Sequence, residues 1–294
     1  MLWISLNTVK VKVVNCKICD LSTTITTDKD VYFCKSCKHF MYAPKGNIES
    51  LEFNHEILSD SLSNLRSKNA TLIYKKFKTL TSLYKNYVEV GAGKGYLIEK
   101  FLEDSISCTA IDMDDTFRDY LIDKGIHFEK MIDTSITELN SYDCFLSSHF
   151  LEHIQEPKSF LKMLKSSKVE YLIVEIPTND GLIFKISHFF QFLSFQDFWD
   201  RLFQKSSNSP HFQYFSDKSF KLLLHSNSYK VVDSMKLQFV DKLPNFKRIR
   251  ATESSILSSL VAIVLPAIDL LNRLTGRADS TVYFAKLNSE SFND

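Results

Sequence analysis

In Glu89-Val-Gly91-Ala-Gly93-Lys-Gly95 an acidic residue stands two positions ahead of three alternate glycines, and a lone acidic residue, Asp112, ends the next apolar run. Glycines so spaced let the backbone turn tightly and approach a ligand where a Cβ would stand in the way. A carboxylate at the C-terminal end of a strand in an open α/β sheet sits beside the ligand crevice and can accept hydrogen bonds from both hydroxyls of a ribose. The acidic residue before the loop suits an ammonium group. The spacing G-x-G-x-G also differs from the G-x-G-x-x-G of enzymes that bind a pyrophosphate. These residues fit a nucleoside carrying an amino group, and the cofactor they imply is S-adenosylmethionine (SAM).

A second reactive group lies in Ser147-Ser148-His149-Phe150-Leu151-Glu152-His153-Ile154, at the expected crevice end of the fourth strand and shortly before Pro157. Methyl transfer to a hydroxyl is an in-line displacement on a sulfonium, so the acceptor must be aligned and its proton must go somewhere. Histidine suits that task near neutral pH. His149 and His153 are therefore base candidates, with Glu152 able to orient one of them. His149-x-x-Glu152-His153 with distant His211 also resembles the Glu-x-x-Glu-His plus His cluster with which some methyltransferases bind a divalent ion that holds two substrate oxygens, though the first position is His here in place of Glu.

Two further pairs, Cys16-x-x-Cys19 and Cys34-x-x-Cys37, flank a polar Thr/Asp-rich loop suited to a β-hairpin. Each pair can present two thiolates to one tetrahedral ion, and the segment has too few apolar residues to fold without such a staple. The reading is a structural Zn2+ site. Four thiolates leave no open coordination position, so no catalytic role is assigned to it. Disulfides or redox pairs are the alternative and fit a reducing cytosol poorly.

The elements that must position these residues follow from the rest of the chain. Its 294 residues, 44% hydrophobic and 24% charged, suffice for one α/β domain with an appendage. The net charge of +1 comes from nearly balanced acids and bases, so a nucleic-acid partner is not expected. Met1 to Val14 lacks the pattern of a signal peptide, and a cytoplasmic protein is expected. The four-cysteine module is placed at residues 1–45, a helical connector at 46–86 and the catalytic domain at 87–290. In the last, strands alternate with helices as in a Rossmann-like, doubly wound, seven-stranded α/β sheet. Strands are expected at 87–90, 108–112, 127–132, 142–148, 170–176, 229–235 and 281–286, with a helix over Gly95 to Glu103. The aromatic-rich segment 181–209 reads as core packing in preference to a lid. Ser254 to Leu274 reads as an amphipathic helix too short in its apolar part to span a bilayer, with a membrane-surface contact as the secondary reading.

The glycine loop and Asp112 resemble the class I SAM-dependent methyltransferases, whose first motif has the form acidic-x-G-x-G-x-G and whose second strand ends in an acidic residue. The resemblance implies that Gly91, Gly93 and Gly95 wrap the methionine part, that Glu89 helps hold its amino group and that Asp112 takes the ribose hydroxyls. It adds Asp133 and Ser147 to the cofactor contacts. In this family the stretch ending in Leu-Glu-His-Ile lies beside the reactive methyl group. A His-x-x-x-Phe-Ser stretch, here His211 to Ser216, recurs near the substrate side, which makes His211 the first choice of base, His153 the second and His149 the third. The layout is similar to that of bacterial methyltransferases with an N-terminal zinc ribbon, many of them tied to glycan or secondary-metabolite pathways. That likeness implies O-methylation of a sugar-like small molecule, with a sugar nucleotide or lipid-linked glycan as substrate; the residues themselves are silent on the assembly, for which a homodimer is the working expectation. The rivals are an RNA methyltransferase whose ribbon grips nucleic acid and a non-catalytic scaffold with a vestigial fold.

Overall fold

The computed structural model describes residues 14–44, 55–82, 84–105, 107–131, 139–193, 196–237, 239 and 256–288. The described residues open with an antiparallel set of short strands, β1 (Thr24–Ile25), β2 (Val31–Cys34) and β3 (His39–Tyr42), built across the two cysteine pairs. A long helix, α1 (His55–Leu80), lies within the segment 46–86 read as a helical connector. The strands β4 (Asn86–Val90), β5 (Ser107–Asp112), β6 (His127–Lys130), β7 (Cys144–Ser148) and β8 (Tyr171–Pro177) then run parallel. The short β9 (Gln213–Tyr214) leaves this sheet, and β10 (Tyr229–Leu237) and β11 (Ser280–Leu287) complete it.

The order across the large sheet is β10-β11-β8-β7-β4-β5-β6, and only β11 runs antiparallel to both neighbours. This is the seven-stranded α/β sheet expected from the sequence, with strand ends within three residues of expectation. Every residue of β8 is buried, as befits a central strand covered on both faces. Strand order reverses beside β4, and that reversal opens a crevice at the C-terminal ends of β4 and β7.

Helices α2 (Arg118–Asp123), α3 (Pro157–Ser166), α4 (Leu182–Phe192), α5 (Gln196–Leu202), α6 (Asp217–Ser226) and α7 (Ile256–Leu274) surround the sheet. Pro157 opens α3, where its missing N–H is no loss. Ser216 caps α6 by accepting the Ser219 N–H at 3.0 Å, as its sequence position suggests. Among the described residues no helix is long and apolar enough to cross a membrane. One expectation needs correction. The turn after the glycines is a 3-10 helix over Ile98–Asp104 in place of an α-helix from Gly95. The Glu89 carboxylate takes the Ile98 N–H at 2.9 Å, so that amide is lost to the helical ladder, and the Lys100 N–H closes instead on the Leu97 carbonyl at 3.0 Å.

The cysteine module is not a separate bead, because β9 pairs with β3 through Phe40↔Tyr214 and Met41↔Gln213 and makes a four-stranded sheet. A hairpin this short is marginal alone in water. The aromatic segment explains how it is held: Phe184, Trp199 and Phe203 are buried against Phe40, Tyr42 and Tyr214. Each such aromatic contributes on the order of 2 kcal/mol by the area it removes from water. Core packing therefore holds for these three. Phe189, Phe190 and Phe192, on the same segment, are exposed, and Phe195 lies outside the described residues.

Candidate functional site

The loop after β4 is tied to β5 by the Gly91 N–H, which donates to the Ile111 carbonyl at 2.9 Å. Gly91, Gly93 and Gly95 all take positive φ, at +70°, +51° and +73°. Beyond that shared need they differ. A Cβ on Gly95 would meet Leu121 of α2 at 2.5 Å, so Gly95 is there to let the helix approach. Nothing lies within 4 Å of the position a Cβ on Gly93 would take, so that side of the loop is open to a ligand. Asp112 braces the loop: one carboxylate oxygen accepts the Gly93 N–H at 2.7 Å and the other the Asp114 N–H at 3.0 Å. Each oxygen keeps a second lone pair, which a diol can use. Burial pushes its pKa up.

Behind the loop a cavity is lined by Arg66 and Ile73 from α1, by Glu89, Tyr96 and by Ser148 and Glu175. Glu89 is buried, and that burial pushes its carboxyl up to about 8. The Tyr96 hydroxyl has no partner among the described residues. A cavity holding a guanidinium, a carboxyl short of a cation and an unpaired hydroxyl fits the amino-acid end of SAM. Arg66, Tyr96, Ser148 and Glu175 escaped the sequence reading. For Glu175 a signal existed, a lone charge in the otherwise apolar run Tyr171-Leu-Ile-Val-Glu-Ile-Pro177. The others belong to no motif. Of the remaining expected contacts, Ser147 is fully buried and strand alternation turns its neighbour Ser148 to the cavity, while Asp133 lies outside the described residues.

The three histidines occupy different electrostatic settings. His149 takes a positive φ of 55° and sits between two buried carboxylates, Nδ1 at 3.3 Å from Glu152 and Nε2 at 3.5 Å from Glu175. Burial alone would lower its pKa, yet the two carboxylates outweigh that and raise it to about 9. Burial likewise works against the Glu175 carboxylate, but His149 and the hydroxyls of Ser148 and Ser280 hold it at about 2. At neutral pH His149 is thus an imidazolium and cannot take another proton. His211 is the reverse case: burial, then the neighbouring His153, push it down to about 3, so its ring is neutral. His153 is half-buried, and its Nδ1 lies 3.1 Å from both the Pro210 carbonyl and the Ser209 hydroxyl. The rings of His153 and His211 stand 4.7 Å apart, edge to face. Glu152, His153 and His211 each offer a ligand atom within 4.8 Å of the others, whereas His149 lies outside that group.

The four cysteines meet as their spacing predicts. Cys16 and Cys37 sulfurs are 3.5 Å apart and those of Cys19 and Cys34 3.4 Å, with no disulfide among them. A tetrahedral ion with bonds of about 2.3 Å holds its sulfurs roughly 3.8 Å apart, so the residues fit zinc. Buried polar links fasten this module to the histidine site. His39 pairs with Gln213 at 2.8 Å, and the Gln213 amide donates to the Ile154 and Gln155 carbonyls at 3.1 Å.

Comparison with known proteins accords with this geometry. A family model described as a methyltransferase domain matches residues 52–234, while no curated protein sequence matches. Among solved structures, a Bacillus halodurans C-125 protein assigned as a methyltransferase is 9% identical, with a TM-score of 0.53 over 76% of this chain and 100% of that one. A Galdieria sulphuraria protein assigned as a sarcosine dimethylglycine methyltransferase is 10% identical, with a TM-score of 0.52 over 82% and 94%. At such identities the structures testify to the fold alone. The family match spans more than half of the chain and takes in the glycine loop, Asp112 and the three histidines of the crevice, so this chain belongs to the class I SAM-dependent methyltransferases.

Proposed function

We propose that this methyltransferase moves the methyl group of SAM to a hydroxyl of a sugar-like small molecule, in glycan or secondary-metabolite assembly, and that its cysteine module holds a structural zinc ion. The C–S bond of the sulfonium breaks as the O–C bond forms, and the hydroxyl proton must leave to a nearby base. The observation that carries the reading is the cluster of Glu152, His153 and His211 at the crevice end of β7, which offers neutral imidazole and carboxylate beside the expected methyl. The RNA reading is weakened by the module's own packing. Its strand β3 is fully buried and paired with β9, so the ribbon is spent on the domain in place of a nucleic acid.

An acceptor carried on a lipid is a second form of the same reading. Phe189 and Phe192 of α4 and Leu270 and Leu274 of α7 are exposed, and the two helices are joined where the Leu182 N–H donates to Asn272 at 2.9 Å. Label from the SAM methyl group, followed into sugar nucleotides, lipid-linked glycans and RNA side by side, tests the acceptor. Incorporation into a sugar hydroxyl is expected. Incorporation into RNA alone would overturn the reading.

Glu89 supplies a check on how the cofactor lies. Its free carboxyl, near 8, is mostly protonated at neutral pH, and an ammonium beside it favours the charged form. SAM binding is therefore expected to expel most of one proton at neutral pH, and affinity should rise with pH until about 8. Calorimetry in buffers of different ionisation enthalpy reads that proton. No release at neutral pH would move the ammonium away from Glu89.

A further inference from the structure

We propose that the outward faces of α4 and α7 form a docking surface for an anionic lipid bilayer, on which the enzyme lies with its acceptor crevice beside the headgroups. This deepens the lipid-carried form of the acceptor reading above. The docking surface itself does not depend on which molecule is methylated.

Helix α7 is turned inside out. Val264, Ala267, Leu271 and Leu274 recur at the spacing of one helical face, and all four are exposed, Leu274 to 75%. The opposite face packs on the domain and carries the polar residues Asp269 and Asn272, both buried. Both are engaged there. Asn272 accepts the Leu182 N–H at 2.9 Å and donates to Asp279, which accepts the Ile183 N–H at 2.9 Å, while Asp269 pairs with Arg273. A helix packed for its own domain alone buries its apolar side, so this arrangement leaves an apolar stripe in want of a cover. Helix α4, packed against α7, adds Phe189 and Phe192, which share a face with Lys185, and Phe192 is 72% exposed.

Charge decides what the cover is. On the described residues of the two helices and the turn after α7, the exposed charged side chains are Lys185, Arg273 and Arg277, all cationic, while Asp269 and Asp279 are buried. Lys236, exposed at the end of β10, adds a fourth cation. A cavity of about 360 Å3 is lined by Lys236, Arg273 and Arg277, and the Arg277 guanidinium has no ion pair among the described residues. Apolar side chains bordered by cations suit an anionic membrane, whose acyl boundary takes the first and whose phosphates meet the second. A second copy of this chain would instead bring the same cations together across a two-fold interface, which repels.

The surface also lies where a lipid-carried acceptor needs it. Strands β10 and β8 point the same way, because each pairs antiparallel with β11, and the register sets Leu237, Ser280 and Pro177 side by side. That is the crevice end of the sheet. Ser280 donates its hydroxyl at 2.9 Å to Glu175, which lines the cofactor cavity.

The test is flotation of the full zinc-loaded chain with vesicles of phosphatidylcholine alone and of phosphatidylcholine mixed with phosphatidylglycerol. Binding to the mixed vesicles, weakened by salt, is expected, with little binding to the neutral ones. Leu274→Asp and Phe192→Asp, both on side chains in water, should each weaken it by about tenfold or more, and Arg277→Gln by about fivefold. SAM affinity unchanged in all three is the sign of an intact fold. The proposal is overturned if the wild type floats with neither vesicle, or if all three variants bind as the wild type does. It is also overturned if the apolar substitutions turn a dimer into a monomer and leave vesicle binding as it was, since a second copy is then the cover. Vesicle binding by an enzyme that methylates only soluble sugars spares the surface and overturns the lipid-carried acceptor. Methylation of a detergent-solubilised lipid-linked glycan by a protein that binds no vesicle does the reverse.

Discussion

Replacing Asp112 with alanine is expected to weaken SAM binding by about a hundredfold or more. The two hydroxyls of the ribose each lose a charged acceptor, and a hydrogen bond to a charged group is worth about 1.5–3 kcal/mol. Two such bonds come to roughly 3–6 kcal/mol, at about 1.4 kcal/mol for each factor of ten. The loop suffers as well, because the Gly93 and Asp114 N–H groups lose the carboxylate that holds them at 2.7 and 3.0 Å. Asp112→Asn keeps the shape and one acceptor oxygen, so an intermediate loss of about tenfold is expected there. Calorimetric titration with SAM and with its demethylated product gives both values. Unchanged affinity in the alanine variant would remove Asp112 from the cofactor site.

Removing zinc should have a larger effect on turnover than on cofactor binding. Binding of structural zinc is worth on the order of 10 kcal/mol in small zinc-folded peptides, and the proposed site here offers the same set of four cysteine sulfurs. Cys34→Ser or chelation is therefore expected to melt β2 and β3. The β3 to β9 pairing and the His39–Gln213 link go with them, and those contacts hold Ile154, Gln155 and His211 in place. Methyl transfer should fall at least a hundredfold. The SAM cavity is lined by residues of α1, β4, β7 and β8 and the loop after β4, none of them from the module, so SAM affinity should change only a few-fold. Full turnover by zinc-free protein would show that the module has no part in positioning the site. Loss of SAM binding in step with turnover would mean that the whole domain depends on it.

Several features of the site were legible because short-range rules govern them. Glu89, the three glycines and Asp112 lie within one strand, one loop and the next strand end, where backbone geometry alone demands glycine and places a carboxylate beside the crevice. The same holds for the cysteine pairs, whose spacing brings four sulfurs together, and for Ser216, whose cap depends only on residues three positions on. The seven strands follow from apolar runs that a doubly covered sheet requires.

What the tertiary structure alone decided concerns partners far apart in the chain and the dielectric around them. Three histidines look alike in sequence, yet His149 becomes an imidazolium because Glu175, on the neighbouring strand, stands beside it, and His211 stays neutral because it is buried next to His153. No spacing rule predicts that β9 crosses to β3, although that crossing brings His211 to His153 and spends the inner strand of the module on the domain. Arg66 enters the cofactor cavity only because α1 lies across it. Local sequence determined the cofactor motif and the strand positions, since a strand–loop–strand unit and an apolar run are set by near neighbours, whereas the pairing of the strands joins residues as far apart as Tyr229 and Leu287. Long-range packing determined which imidazole carries a proton and which side chains meet, since burial and through-space charge exist only once the chain has folded.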